Sequence, residues 1–92
     1  MIILAVTKNI VAGIETDDVV SILNLDINNI LEIKEDLEDN NTIIVFINGN
    51  VIKMQMLFIE FFKLFASSNP VIISDVERIK SISKEYDNLI KL

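Results

Sequence analysis

The stretch at residues 51–65, VIKMQMLFIEFFKLF, most constrains what this chain can fold into, because it holds so few polar residues. If the stretch forms one helix, Lys53, Glu60 and Lys63 fall within a single narrow stripe. The apolar remainder then covers about twice the arc of ~100° that a helix needs to face one core. We expect one side to pack on the protein's own sheet, and the surplus to contact either a second helix of the chain or another protein.

Length and composition predict one ordered domain. The chain has 92 residues, and 51% of them are hydrophobic, which is typical of a compact domain near the small end of the usual size range. We divide it into a core of sheet and helices at residues 1–74 and a C-terminal helix at residues 75–92.

Apolar runs rich in β-branched residues predict four strands, at residues 2–6, 19–23, 42–47 and 71–73. The run at 19–23 also fits a helical turn, and its two valines favour the strand. The run at 42–47, TIIVFI, is typical of a central parallel strand that is buried on both faces.

Three segments predict helices. Asp26 is a suitable N-cap for a helix at residues 27–38, and Asn50 is one for the apolar helix, which residues 67–70 end. The turn signal Asn48-Gly49 before Asn50 fits a strand-to-helix loop, although such a pair can also close a hairpin. Asp75 is the expected cap of the last helix, whose apolar residues recur at spacings of three and four.

This order of elements predicts a small three-layer α/β domain. Its sheet has four mostly parallel strands and is flanked by helices, with an amphipathic helix at the C-terminus.

The composition of the chain argues against most kinds of catalytic site. The chain has no His and no Cys, and its two glycines cannot form a P-loop or a GxGxxG phosphate-binding loop. The acidic residues Glu15, Asp17 and Asp18 are the remaining place for a Mg²⁺ site. We expect them to be a solvated loop or a contact with a basic partner, and we predict no catalytic residue, no cofactor and no metal ligand.

The formal charge of −6 argues against nucleic-acid binding, since that binding depends on neutralising phosphates with Lys and Arg. No apolar run approaches the ~20 residues of a membrane span. The first residues, MIILAVTK, lack the basic region of a signal peptide. We therefore expect a cytoplasmic protein that does not insert into a membrane directly.

The apolar stripes of the last two helices are the candidate partner-binding surface, because exposed apolar patches mark interaction sites. The candidate residues are Met54, Phe58, Phe61, Phe62, Phe65, Ile79, Ile82, Tyr86 and Leu89.

Three segments carry a resemblance to a known family: MIILAVTKNIVAGIE, LEDNNTIIVFINGNVI and PVIISD. Over its whole length the chain resembles the F subunit of the archaeal and vacuolar-type ATP synthases. The resemblance implies a non-catalytic central-stalk protein that binds the rotor stalk subunit and couples ATP turnover to proton transport. It also implies that residues 75–92 are the mobile element, and that the protein is peripheral to a membrane through its complex.

Two alternatives stay open. The chain fits a small homo-oligomeric α/β interaction or signalling module, such as an archaeal or viral adaptor. Similarity to the anti-sigma-factor antagonists is disfavoured because residues 48–51 carry no hydroxyl group to phosphorylate. A Mg²⁺ enzyme built on the acidic residues is the other alternative.

Overall fold

The described part of the chain folds into one curled, mostly antiparallel sheet with two short helices. The computed structural model describes residues 1–66, 71–73 and 76–82. The strands are β1 (Ile2–Val11), β2 (Ile14–Glu15), β3 (Val19–Asn24), β4 (Ile30–Glu35), β5 (Asn41–Phe46), β6 (Val51–Leu57) and β7 (Val71–Ile73). The helices are α1 (Phe58–Phe65) and α2 (Val76–Ile82), and a 3₁₀ turn spans Ile27–Asn29.

β1 organises the sheet because four other strands pair with it, two along each of its edges. β3 pairs antiparallel with residues 2–7, and β2 continues that edge at residues 10 and 11. The opposite edge is shared, since β7 runs parallel to residues 2–4 whereas β6 runs antiparallel to residues 7–9. β5 and β4 extend the sheet beyond β6. The sheet therefore curls into a half-barrel.

Each face of the curled sheet buries one helix. Along β1, Ile3 and Ala5 point to the face on which α1 packs, and this larger core includes the fully buried Phe61. Leu4 and Val6 point to the opposite face, where they pack on Ile79 of α2. Side chains alternate across a strand, so β1 supplies both cores.

The predicted class, a three-layer α/β domain with a mostly parallel sheet, is wrong. One cause lies at residues 27–38, where a helix was expected and a 3₁₀ turn followed by β4 is found. Asp26 does cap that turn, since its Oδ1 accepts a hydrogen bond of 2.9 Å from the Asn28 N–H. A β-bulge between Ile30 and Glu32 leaves Leu31 unpaired and separates the inward residues Ile30 and Ile33 by three positions. The bulge gives this strand the apolar spacing of a helix.

The expected helix at residues 51–66 is also wrong over its first half, because residues 51–57 form β6. Lys53 and Gln55 are two positions apart and lie on the face opposite the buried Ile52 and Met54. This alternation has the period of a strand. Helical spacing begins at Phe58, where α1 starts.

The loop before β6 closes a hairpin rather than capping a helix, which was the alternative left open. The Phe46 N–H donates to the Asn50 carbonyl at 2.8 Å, and the Gly49 N–H donates to the Phe46 carbonyl at 3.0 Å. Gly49 has a φ of +91°, which a residue without a Cβ adopts readily. Residues 47–49 therefore form a three-residue hairpin loop.

Strands at residues 2–6, 19–23, 42–47 and 71–73 are confirmed, with β1, β3 and β5 differing in length from the prediction. The prediction that this strand is central, parallel and buried on both faces is wrong, because β5 lies between β6 and the edge strand β4 and is antiparallel to both. Its buried residues, Thr42 and Ile44, are two positions apart and share one face. A helix is confirmed at residues 76–82. Residues 67–70, Asp75 and the rest of the predicted last helix lie outside the described residues.

Candidate functional site

The structure divides the predicted partner-binding residues between core and surface. Phe62 is 57% exposed, whereas Met54, Phe61 and Ile79 are fully buried within the protein's own cores. The half-buried residues are Phe58, Phe65 and Ile82, and Tyr86 and Leu89 lie outside the described residues. Among the candidates that the structure describes, Phe62 on the outer side of α1 is the one exposed enough to contact a partner.

The outer side of α1 exposes two apolar residues, Ile59 and Phe62, beside two charged ones, Glu60 and Lys63. Ile59 and Phe62 are 56% and 57% exposed, and Phe58 stacks on Phe62 with ring centroids 6.4 Å apart. On the inner side, Phe61 stacks on Phe65 at 5.5 Å. These pairs follow the i, i+4 spacing that aligns side chains along a helix.

The turn between β4 and β5 lies beside the start of α1. The Phe58 N–H donates to the Asn40 carbonyl at 2.8 Å, and Asn40 adopts a left-handed φ of +61°. Leu37 in the same turn is 88% exposed, and Leu57 just before the helix is 43% exposed. We use the name α1 patch for the exposed apolar residues on α1 and around its start, together with the half-buried Phe58 that stacks on one of them. The exposed residues are Leu37, Leu57, Ile59 and Phe62.

A group of charged side chains gathers on the face of the sheet that carries α2. Lys53 is 7% exposed, and its Nζ lies 3.3 Å from Glu15 Oε1 and 3.0 Å from Asp36 Oδ2. It also forms an ion pair with Asp39. Lys53, on β6, is thereby paired with two carboxylates of the turn between β4 and β5. We call the whole group the ionic cluster, and its members are Lys8, Glu15, Asp18, Asp36, Asp39, Lys53 and Arg78.

Lys8 and Lys53 are direct neighbours across β1 and β6, an arrangement in which like charges repel. Glu15 lies within reach of both, since its Oε2 is 3.8 Å from Lys8 Nζ. Asp18 is 3.6 Å from Lys8 Nζ, forms an ion pair with Arg78 of α2, and accepts hydrogen bonds from Gln55 Nε2. The cluster therefore connects α2 to three strands.

The electrostatics favour the charged forms of these groups. The hydrogen bond to Asp39 raises the pKa of Lys53 against the opposing effect of burial. Hydrogen bonds from the Glu38 backbone N–H and from Lys53 lower the pKa of Asp36. Burial raises the pKa of Asp18, but the hydrogen bond from Arg78 and the charge of Lys8 outweigh it and lower the value overall. Protonated Lys53 is no nucleophile, and the carboxylates already have cations.

The acidic residues of the predicted Mg²⁺ alternative separate in the structure. Glu15 and Asp18 pair with the protein's own lysines and arginine, whereas Asp17 is exposed. Within the described residues, no group of three or more metal-binding side chains is arranged to hold an ion.

Sequence reasoning missed the ionic cluster, although one signal was present. Lys53 interrupts an otherwise apolar segment, and a strand places it on the face opposite the core. The partners come from positions 15, 36 and 39 and could not be identified without the pairing of the strands.

Two open clefts of about 410 Å³ flank the hairpin loop at residues 47–49, and neither is lined by an ionisable side chain. One is lined by Asn24, Asn29, Phe46, Ile47 and Asn48. The other is lined by residues 9–12 and 49–51.

Comparison with protein-family models, with curated proteins and with solved structures produced no match to this chain. The central-stalk role therefore stays a prediction that no comparison tests. Roles in ATP synthesis and proton transport have no support from these comparisons, and the α/β class that accompanied them is wrong. Among the described helices, none is both long and apolar enough to cross a membrane.

Proposed function

We propose that the protein is a non-catalytic protein-interaction module that self-associates through the α1 patch. The observation that carries the proposal is the exposure of Ile59 and Phe62, each more than half accessible, on a helix whose opposite side already fills the core. Burying such side chains is favourable by about 25 cal/mol per Å². Leu37, in the turn bonded to the start of the helix, and Leu57, just before the helix, are exposed as well.

Charge favours a second copy as the occupant of this patch. The whole chain carries −6, yet α1 itself carries one acidic and one basic residue, Glu60 and Lys63. A two-fold axis that packs two α1 helices antiparallel brings Glu60 of each copy opposite Lys63 of the other. Interfaces between identical copies require this kind of self-complementarity.

The size of the patch sets its strength. Eight helical residues span about 12 Å, so α1 and its neighbours bury less than the ~800 Å² per partner of a standard interface. We therefore expect a weak, reversible dimer whose population depends on concentration.

The ionic cluster supports a structural role rather than a catalytic one. A catalytic acid or base needs a proton to exchange near working pH and space for a substrate. The pKa of Lys53 is raised and those of Asp18 and Asp36 are lowered, so each is moved away from neutrality.

Sedimentation velocity over a series of concentrations tests the proposal. We expect the unmodified chain to shift from monomer toward dimer as concentration rises, and Phe62→Lys to stay monomeric. Ile27→Lys is the matched control, because it adds the same charge at a residue that is 70% exposed outside the patch. A dimer that survives Phe62→Lys, or a chain that is monomeric at every concentration, contradicts the proposal.

A charge exchange tests the antiparallel arrangement separately. Glu60→Lys and Lys63→Glu should each weaken self-association, because like charges then meet across the two-fold axis. An equimolar mixture of the two variants should form a heterodimer. If the mixture does not associate, the two α1 helices do not pack in the proposed antiparallel arrangement.

A further inference from the structure

Among the strands that the structure describes, β3 pairs only with β1, so its other edge is open to a further strand. The hydrogen-bonding pattern of β3 follows from the pair beyond its last residue. The Leu25 N–H donates to the Met1 carbonyl at 2.7 Å, and the Met1 amino group donates back to the Leu25 carbonyl at 3.2 Å. Hydrogen-bonded pairs alternate along an antiparallel ladder. The odd-numbered residues of β3 therefore bond to β1, while the N–H and C=O groups of Val20, Ile22 and Asn24 point outward.

This edge lacks the charges that usually prevent strands from pairing. The sequence of β3, VVSILN, contains no charged residue, and Val19 and Ile22 are 45% and 55% exposed. β4, at the opposite side of the sheet, carries Glu32, Lys34 and Glu35 along its six residues. Charged residues on an edge strand oppose pairing with another chain, so β4 is protected and β3 is not.

Both ends of β3 are acidic. Asp17 lies before the strand and Asp26 after it, and both are exposed. Among the described residues, no cation lies within ion-pair distance of either, in contrast to Asp18, which pairs with Lys8 and Arg78. The open edge is therefore an apolar strand between two exposed negative charges.

We propose that β3 binds an extended segment of another protein, apolar along its middle and basic at both ends. The segment adds as a further strand, with its backbone bonded to Val20, Ile22 and Asn24. This mode takes affinity from backbone hydrogen bonds and specificity from the side chains. Lysines or arginines at its ends meet Asp17 and Asp26.

A second copy of this chain fits the edge poorly. Antiparallel pairing of two β3 strands places the acidic residues before one strand against Asp26 of the other, and each copy carries −6. Like charges placed opposite one another disfavour pairing. The edge and the α1 patch therefore take different occupants.

Fluorescence anisotropy with labelled synthetic peptides tests the proposal. The probe has a core of alternating valine and threonine with lysines at both ends, and its control carries glutamates at the same positions. We expect the lysine-flanked peptide to bind and the glutamate-flanked one to bind at least about tenfold more weakly. N-methylation of the peptide at alternate core residues should abolish binding, because it removes the peptide N–H groups that would face β3.

Variants of the chain locate the site. Ile22→Pro removes an outward N–H without removing a bond to β1, and should lower peptide affinity at least about tenfold. Asp17→Asn and Asp26→Asn should each lower it about two- to fivefold at low salt, whereas Glu32→Gln on β4 removes the same charge and should leave it unchanged. Circular dichroism of each variant serves to check that it is folded.

Several outcomes overturn this inference. They are failure of the lysine-flanked peptide to bind, equal binding of both peptides, and self-association that depends on Ile22 rather than Phe62. The inference is independent of the self-association proposed above, since Phe62→Lys should keep full peptide affinity.

Discussion

Lys53 connects parts of the chain that are distant in sequence. It lies on β6, and its ammonium group pairs with Glu15 on β2 and with Asp36 and Asp39 beside β4. A buried charge is tolerated when it is paired and hydrogen-bonded, because its desolvation is then offset. The three carboxylates in turn depend on Lys53, since without it they would repel one another.

Lys53→Met should therefore destabilise the protein, although methionine is the more hydrophobic residue and the position is buried. We expect a loss of about 3 kcal/mol in the free energy of unfolding, because removing one partner leaves uncompensated charges. Lys8→Met is the matched control on the neighbouring strand. Its side chain is 29% exposed and its ion pairs are longer, so it should cost less than about 1 kcal/mol. Urea denaturation measures both, and equal losses would contradict a special role for Lys53.

At the scale of elements, irregularities decide how the strands pair. Between β5 and β6 the register shifts so that Asn41 opposes Leu57 while Thr42 opposes Met54. The fully buried Thr42 hydroxyl donates to the Met56 carbonyl at 2.9 Å, at a point where the ladder is interrupted. A side chain thus replaces a missing backbone bond.

Thr42→Val keeps the shape of this side chain and removes its hydroxyl. We expect a loss of about 1–2 kcal/mol in the free energy of unfolding, since a buried carbonyl is left without a donor. Thr16→Val is the control, because Thr16 Oγ1 accepts from the Asn9 N–H in an exposed position where water can replace it. Thermal unfolding measures the stability of both variants. A larger loss for Thr16→Val than for Thr42→Val would contradict the argument.

The same irregularities explain what the sequence could and could not predict. Runs of β-branched residues identified β1, β3, β5 and β7, because strand preference is local. β4 looked helical because the bulge at Leu31 separates Ile30 and Ile33 by three positions. In β6 the two-residue spacing of Lys53 and Gln55 was visible, but the apolar residues that follow in α1 suggested one long helix. The apolar outer side of α1 was foreseeable, and the ionic cluster was not, since it depends on long-range pairing.

For the molecule as a whole, the ionic cluster makes stability depend on pH. Burial raises the pKa of Asp18, but the hydrogen bond from Arg78 and the charge of Lys8 bring it below the ordinary 3.8. The pKa of Asp36 is lowered by the hydrogen bond from the Glu38 backbone N–H and, after it, by the hydrogen bond from Lys53. A carboxyl group with a lowered folded pKa binds fewer protons in the folded state than in the unfolded state. Its contribution is therefore complete above the unfolded value and is lost as pH falls through the folded value.

We expect the urea midpoint to be constant near neutral pH and to fall below about pH 4. Asp18→Asn should lower the midpoint at neutral pH and flatten its decline in acid, because one of the contributing groups is removed. Asp17→Asn, an exposed neighbour, should follow the unmodified chain throughout. An acid decline unchanged by Asp18→Asn would show that other groups cause it.

The shared edge of β1 has a consequence for how the molecule is made. Residues 2–4 of β1 pair along this edge with residues 71–73 of β7. The pairing of the first strand is therefore incomplete until the last described strand has formed. Contacts between such distant residues slow folding, because a large loop must close before they form. During synthesis, the N-terminal half of β1 emerges long before β7. A growing chain therefore holds the N-terminal half of β1 without its β7 neighbour until residues 71–73 have been made.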